Sequence, residues 1–490
     1  MKVLLVNPPT ESDIKRVLGI AGPPLGLAYL ASIAREMGHE VEILDSSAEG
    51  LTFEEVRARI RRSYPDVIGI TATTPMIYDA YKVAKISKDV NDNSITLIGG
   101  PHATFLPEFT LRECPYLDIV VRGEGERTFQ DLMDKLPLVL RGRNTRVLKE
   151  ILGISYREGD RIIHNPPRPL IEDLDSIPIP SFDLLPWDLY KAGEYRYGVI
   201  MTSRGCPFNC IFCSSSLQFG KRWRGHSVRR VLEEIRLLRE EFGIKEIEFL
   251  DDTFTLNRKR ARQIARELVK EGLDISWTAS SRVNTFDTET AKALRESGAH
   301  TIYFGIESGS QRILNFIGKG ITINQAIKAV KTAVRVGLKV LGSFILGFPM
   351  ERNEDIKRTI RLANRLDLDY AQFTIATPYP GTRLWYYTLR NKLLTTLNWR
   401  KYTTTQVVMR NLYLTADQIK KALLWAYLSF YLRPKYIIRD FLERKGFLIR
   451  KAIPAAVRSI IRGSGKPTTY VEEMRRVEEL SPILLKESPV

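Results

Sequence analysis

The chain has 490 residues, 44% of them hydrophobic and 27% charged, with 74 Lys and Arg against 57 Asp and Glu and only four cysteines. That is apolar material for about three packed domains, which excludes both a disordered chain and a small fold stapled by disulfides. The net charge of +17 is uneven: residues 1–190 carry 22 basic and 28 acidic side chains, 191–385 carry 32 and 21, and 386–490 carry 20 and 8, so any polyanionic partner belongs to the last two thirds.

Met1 to Val6 opens as a strand, with none of the regions of a signal peptide, and a cytosolic location is expected. Apolar periodicity predicts strands at Lys2–Val6, Glu40–Leu44, Val67–Ile70, Ile95–Ile98 and Ile119–Val121. Helices at Leu25–Met37, Phe53–Arg62, Met76–Val90 and Arg127–Leu136 alternate with them. Such units build a doubly wound sheet whose ligands lie beyond the carboxyl ends of its strands. Those ends carry Asn7-Pro8-Pro9, Thr71-Ala72-Thr73-Thr74-Pro75 and Gly99-Gly100-Pro101-His102-Ala103-Thr104. No G-x-G-x-x-G follows the first strand, so a nicotinamide or flavin dinucleotide is not expected. Cys114 stands alone and should pack as a small hydrophobe. Residues 1–136 thus form one α/β domain, and 137–190, proline-rich from Asn165 to Trp187, read as an extended linker.

Cys206, Cys210 and Cys213 fall within eight residues in Arg204-Gly205-Cys206-Pro207-Phe208-Asn209-Cys210-Ile211-Phe212-Cys213. In a cytosolic chain such a group binds metal rather than forming disulfides, and thiolates are the ligands that iron–sulfur clusters prefer. Three ligands on a four-iron cluster leave one iron open to a substrate or cofactor. Zinc is the alternative, but a structural zinc site needs a fourth Cys or His, and the nearest candidate, His226, is 13 residues on.

From 191 to 385, strands are predicted at Tyr197–Thr202, Ile244–Leu250, Ile275–Ala279, Thr301–Gly305, Lys339–Leu346 and Tyr370–Ile375. Helices at Val228–Phe242, Arg258–Glu271, Ala291–Ser297, Ile323–Val336 and Glu354–Leu366 lie between them. Repeated strand-then-helix units predict a parallel, partly closed barrel with its chemistry at the carboxyl ends of the strands. Those ends carry Asp251-Asp252-Thr253, Ser280-Ser281-Arg282, Gly305-Ile306-Glu307-Ser308-Gly309, the run from Gly342 to Glu351, and Thr377-Pro378-Tyr379-Pro380-Gly381-Thr382. Residues 386–490 read as a helical, basic domain. Within it, 420–466 contain 12 Lys and Arg and two acids, interleaved with Leu424, Trp425, Tyr427, Leu428, Phe430, Tyr431 and Tyr436. Such a stretch can lie on an anionic bilayer, grip nucleic-acid phosphates, or cap the barrel as a solvated face. Its longest uncharged apolar run, Ala422–Leu432, has 11 residues where a membrane span needs about 20.

The C-x3-C-x2-C spacing, with Phe212 before the last cysteine, resembles the radical S-adenosylmethionine (radical SAM) family. The Asn-Pro-Pro start, Pro-Pro-Leu-Gly-Leu-Ala-Tyr-Leu from Pro23, Gly-Gly-Pro-His and Arg122-Gly-Glu-Gly-Glu-Arg127 resemble the cobalamin-binding domain that precedes the core in its B12-dependent class. The resemblance implies an N-terminal Rossmann-like cobalamin-binding domain, a partial (β/α)6 barrel and a [4Fe–4S] cluster on Cys206, Cys210 and Cys213. It implies SAM contacts from Phe212, from Asp251 and Asp252 to the amino group, from Arg282 to the carboxylate, from Glu307 to the ribose, and from Gly342 and Gly347 on the adenine side. Cobalamin contacts would come from Thr71, Thr73, Thr74, Gly99, Gly100 and His102. The D-x-H-x-x-G that supplies a histidine to cobalt in the mutases is absent, His39 and His102 having other neighbours, so base-off cobalamin is implied.

The implied activity is cleavage of SAM to a 5′-deoxyadenosyl radical, hydrogen abstraction from an unactivated carbon, and C-methylation or ring closure, with an external reductant such as ferredoxin or flavodoxin. Phe430-Tyr431-Leu432-Arg433-Pro434-Lys435-Tyr436 resembles a segment of the Mg-protoporphyrin IX monomethyl ester oxidative cyclase type and of hopanoid or isoprenoid-lipid modifying members. It implies a lipid, isoprenoid or tetrapyrrole substrate and peripheral membrane contact; nucleic acid is not expected. Two other readings stand beside this one: a radical SAM enzyme whose first domain is a vestigial scaffold, and a basic membrane- or nucleic-acid-binding protein with a structural metal site. A methylthiotransferase is not expected, because the first domain lacks the extra cysteine triad of that class.

Overall fold

Two seven-stranded sheets carry the architecture of the computed structural model, which describes residues 1–10, 22–142, 145–192, 195–434, 436–438 and 470–486. The first runs β2-β1-β3-β4-β5-β6-β7, with β1 at Lys2–Asn7, β2 at Glu40–Asp45, β3 at Val67–Thr71, β4 at Ile95–Gly99 and β5 at Ile119–Val121. These are parallel, and the order reverses between β1 and β3. A reversal of this kind opens a crevice at the carboxyl ends, so Asn7 and the Thr71–Thr74 turn flank the expected ligand position.

The span 137–190 is not all linker. Ile154–Glu158 (β6) and Arg161–His164 (β7) form an antiparallel hairpin on the edge of this sheet, turned at Gly159 with φ +61°. Ile154 and Tyr156 are buried and give the hairpin its inner face. The proline-rich run beyond it is irregular, broken by single 3-10 turns at Leu174–Ser176, Phe182–Leu184 and Trp187–Leu189. It lies along the helix Leu25–Glu36, where the Ser181 amide donates to the Ala28 carbonyl at 3.0 Å and Arg35 meets Asp183 at 2.8 Å.

The second sheet runs β16-β15-β14-β13-β12-β9-β8. Its parallel members are β9 (Tyr195–Ile200), β12 (Glu246–Phe249), β13 (Ser276–Ser281), β14 (Ala299–Glu307), β15 (Lys339–Leu346) and β16 (Tyr370–Ile375); β8 (Lys191–Ala192) joins antiparallel. Along β15, Val340, Gly342, Phe344 and Leu346 are buried, while Leu341, Ser343 and Ile345 keep accessible surface. The alternation places the first set against the helices and the second toward the barrel interior.

The described residues after 386 pack onto both sheets. The helix Ala416–Tyr431 closes the open edge of the barrel. Tyr427 donates its hydroxyl to the Phe373 carbonyl at 2.9 Å and accepts from the Phe373 amide at 3.2 Å; Tyr431 does the same at Ala371, at 2.9 and 3.1 Å. Two phenols thereby satisfy the backbone groups that an edge strand leaves unpaired. Phe430 and Tyr436 are buried beside them, whereas Trp425 is 61% exposed. Trp399, Tyr402 and Val477 pack on the outer face of the first domain. Most of the basic run, 439–466, lies outside the described residues. Among the described residues no helix is long and apolar enough to cross a membrane.

Tyr427→Phe and Tyr431→Phe should each cost about 1 kcal/mol, the net worth of an ordinary hydrogen bond. Urea unfolding measures this, and faster amide exchange should be confined to Ala371 and Phe373.

Candidate active site at the thiol loop

The three clustered cysteines sit on a loop whose stem is the antiparallel pair Ser203–Arg204 (β10) and Arg224–Gly225 (β11). Gly205 turns the chain at φ +89°, where a Cβ would strike the Arg222 carbonyl. The Cys206 amide donates to the Gly220 carbonyl at 3.1 Å and the Cys213 amide to the Cys210 carbonyl at 3.3 Å. Ile211 ties the loop to the barrel, donating to Ile317 O at 3.0 Å and accepting from the Leu384 amide at 2.8 Å. All three thiols are free and half-buried. Burial, with the nearby Asp252 charge adding to it, pushes the Cys206 and Cys213 thiols up, and metal binding deprotonates such thiols.

The donor set tests which metal fits. Among the described residues no three His, Cys, Asp or Glu side chains form a group that would hold a single ion. His226, the zinc candidate, is buried with its Nδ1 3.0 Å from Asp175. Three thiols on one loop, with no fourth Cys or His beside them among the described residues, fit an iron–sulfur cluster with an open iron.

The strand-end residues divide into two groups. Arg282, after β13, stacks 3.6 Å from the Phe208 ring centroid, points Nη1 at Cys210 Sγ at 3.5 Å and donates to the Lys319 carbonyl. Asp252 opens to solvent at the loop, close enough for its charge to act on Cys206 and Cys213. Phe212 reaches across to Phe348, with ring centroids 6.0 Å apart. Glu307, left-handed at φ +65°, is buried and pairs with Lys319 at 2.7 Å.

Asp251, in contrast, turns inward: it accepts from the Thr202 amide at 2.6 Å, the Thr202 hydroxyl at 2.7 Å and the Ser203 hydroxyl. These bonds join β12 to the loop stem, a structural tie for Asp251 beside the ligand contact expected of it. A Cβ at Gly342 would press on the Leu368 and Phe344 side chains, so glycine is needed there for packing. Gly347 turns at φ +86° under Ile419 of the edge-closing helix. The Thr377–Thr382 turn is packed against the first domain, since a Cβ at Gly381 would strike the Phe105 ring.

Glu351 holds the Gly347 loop, accepting from the Gly347 and Phe348 amides at 2.5 and 3.1 Å, while its Oε1 is buried without a partner. Burial pushes this carboxyl from the ordinary 4.5 to about 8. The folded state therefore favours the protonated acid, and that stabilisation, complete below pH 4.5, is lost as pH rises through about 8. Glu351→Gln carries the neutral form permanently. The melting temperature of wild type relative to this variant should fall between those two values and then level off.

In the first domain Thr71, Thr73, Gly99 and Gly100 stand at the carboxyl rim of β3 and β4, with Thr71 paired to Gly99. Gly100 has φ +100° and its Cβ would strike the Ala72 backbone, so only glycine fits there. Thr74 and His102 turn away from that rim. His102 is fully buried, its Nδ1 3.3 Å from Thr74 Oγ1 and its ring 4.9 Å from Trp399; burial pushes the imidazole down to about 3. His39 lies at the opposite, amino end, 3.4 Å from the N-terminus. Among the described residues the rim thus offers hydroxyls and backbone amides, groups that would suit the polar periphery of a cobalamin. Cys114 is buried, as expected of a small hydrophobe.

Sequence reasoning missed how the two domains are joined. Arg224 binds Glu124 through two parallel bonds of 2.7 and 2.9 Å, and Arg204 binds Glu126 and, at 3.4 Å, Glu124. All four side chains are at most 9% exposed. Burial alone would raise Glu126, but the charge and hydrogen bond of Arg204 hold its carboxyl below the usual range. The acids of Arg122-Gly-Glu-Gly-Glu-Arg127 therefore grip both strands of the thiol-loop stem. The motif was visible in the sequence, but its charges gave no sign of their partners.

Residues 200–363 match the Radical SAM superfamily and residues 12–133 match the B12 binding domain. An uncharacterized methyltransferase of Pyrococcus horikoshii is 62% identical, over 94% of this chain and 98% of its own length. The anaerobic magnesium-protoporphyrin IX monomethyl ester cyclase of Rubrivivax gelatinosus is 32% identical over 78% of this chain and 69% of its own. Among solved structures, the cobalamin-dependent S-adenosylmethionine radical enzyme OxsB, with aqua-cobalamin and S-adenosylmethionine bound, superimposes with a TM-score of 0.70 at 20% identity, covering 99% of this chain and 80% of its own.

Proposed function

The chain belongs to the radical SAM enzymes that carry a B12-binding domain, and from that membership we propose that it transfers a methyl group to an unactivated carbon of a hydrophobic substrate. The observation that carries this reading is the buried Glu124–Arg224 and Glu126–Arg204 contact, which fixes the B12-binding domain directly on the stem of the thiol loop. When bound, the [4Fe–4S] cluster, SAM and cobalamin supply the 5′-deoxyadenosyl radical and the methyl group. Cys206, Cys210 and Cys213 would hold the cluster, and their number, three thiols for four irons, would leave SAM a place to bind. Asp252, Arg282 and Glu307 would serve SAM, and Thr71, Thr73, Gly99 and Gly100 would line the cobalamin site. Methylation is favoured over ring closure by the Pyrococcus horikoshii methyltransferase, which matches nearly the whole chain.

A lipid, isoprenoid or tetrapyrrole substrate is supported by Leu341 and Ile345 on the barrel interior and by Leu250, 39% exposed at the end of β12. The aromatic C-terminal helix adds less than its composition promised, since Tyr427, Phe430 and Tyr431 serve the barrel edge. Peripheral membrane contact would fall to Trp425 and Leu432, 61% and 47% exposed on its outer face.

The test is anaerobic incubation of cluster- and cobalamin-loaded protein with a one-electron reductant, methyl-deuterated SAM and a lipid extract. The expected result is 5′-deoxyadenosine together with S-adenosylhomocysteine and one deuteromethylated lipid. 5′-Deoxyadenosine without S-adenosylhomocysteine would favour ring closure, and failure to retain cobalt would remove cobalamin from the reading.

A further inference from the structure

Lys319 lies between two glycines, Gly318 and Gly320, with φ +63° and +65°. The turn they make is jammed against the thiol loop. A Cβ at Gly318 would come 2.8 Å from the Asn209 carbonyl, Ile317 accepts from the Ile211 amide, and the Lys319 carbonyl accepts from the Arg282 guanidinium. With its backbone so fixed, the lysine side chain turns inward, 7% exposed, and donates to Glu307 Oε1 at 2.7 Å. The pair lies over Gly305, where a Cβ would stand 2.7 Å from Lys319 Nζ. Glu307 itself sits at a register shift of β14 against β15, in a left-handed conformation that strains a non-glycine residue.

A buried ion pair is weak support for stability, because apolar residues of the same size commonly serve as well or better. A strained carboxylate and a buried ammonium kept together at the thiol loop point instead to a ligand. Glu307 Oε2 and two of the three lysine protons make no hydrogen bond among the described residues. We infer that Lys319 is a positioning residue of the SAM site: it orients Glu307 through Oε1, so that Oε2 accepts the ribose hydroxyls. The inference rests on reading Glu307 as the ribose acceptor. A contact between an ammonium and a carboxylate is shorter and stronger than one between neutral groups, so the buried lysine fixes where Glu307 presents its other oxygen.

The test needs no turnover. Cluster-loaded wild type, Lys319→Met and Lys319→Arg are titrated with SAM and with its analogue lacking both ribose hydroxyls, and binding is read from the spectrum of the reduced cluster. Lys319→Met should weaken SAM by about 30-fold, the order of a charge-assisted hydrogen bond, yet leave the analogue within about twofold of wild type. Lys319→Arg should recover most of the loss. Equal weakening of SAM and analogue, unchanged SAM binding, or loss of the cluster itself in Lys319→Met would each overturn the inference and leave the lysine as a brace of the loop. Wild-type protein that distinguishes SAM from the analogue by less than about twofold would remove the reading of Glu307, and this inference with it.

Discussion

Cys210→Ala protein, reconstituted anaerobically with iron and sulfide, should retain almost no iron and form no 5′-deoxyadenosine from SAM. Two thiolates on this loop cannot hold a four-iron cluster, since neither neighbour nor second loop supplies a replacement: His226 is committed to Asp175, and Cys114 is buried in the first domain. Cys210 is also the sulfur that Arg282 addresses at 3.5 Å, so its removal uncouples the barrel's third strand end from the loop. Cys210→Ser should fare no better, because a hydroxyl is too weak an acid to bind as the anion. Cys114→Ala is the control, with iron content and product formation both unchanged. Iron content and the spectrum of the reduced protein measure the first effect, and chromatography of the nucleoside product the second. Full 5′-deoxyadenosine formation by Cys210→Ala would place the radical chemistry elsewhere.

The strands of the barrel were legible because each is a short apolar run followed by polar or glycine-rich residues, and Lys339–Leu346 and Tyr370–Ile375 stand where that pattern puts them. The β6–β7 hairpin was not, because its apolar alternation covers only Ile154 to Arg157, Ile162 and Ile163 stand side by side, and the prolines after Asn165 dominate the segment. At the site, Asp251 and Asp252 look equivalent in sequence. One residue of chain rotation separates them, and the structure sends the first to the Thr202 hydroxyl and leaves the second at the thiols. His102 stands in a glycine-rich run that suggests a ligand rim, yet the short helix Pro101–Phe105 turns its ring under Trp399. Composition likewise cannot tell a membrane-facing tyrosine from one that closes a sheet edge. What decides is whether a strand with free backbone groups lies opposite, and for Tyr427 and Tyr431 it does.

Glu124→Ala should destabilise the protein by about 3–5 kcal/mol, because it strips the shared acceptor from two buried guanidiniums. Arg224 loses both of its parallel bonds, the Ile171 amide loses its acceptor at 2.8 Å, and Arg204 is left with Glu126 alone. Against a total stability of about 5–15 kcal/mol for a typical domain, that is a large fraction. Glu124→Gln, which keeps the shape and one oxygen, should cost less than the alanine variant but still a measurable part of it. The comparison that isolates burial is Glu172→Ala. Its ion pair with Arg222, at 2.8 Å, joins the same loop, but its partners are 65% and 76% exposed, and such pairs contribute about 0–1 kcal/mol. Because Arg204 directly precedes Gly205-Cys206, the loss at Glu124 should reach the thiols: iron retention should fall along with the melting temperature in Glu124→Ala, and neither should change in Glu172→Ala. Equal costs for the two alanine variants would mean that the first domain does not hold the loop through its acids. A destabilised Glu124→Ala with full iron retention would mean that the grip ends at the stem.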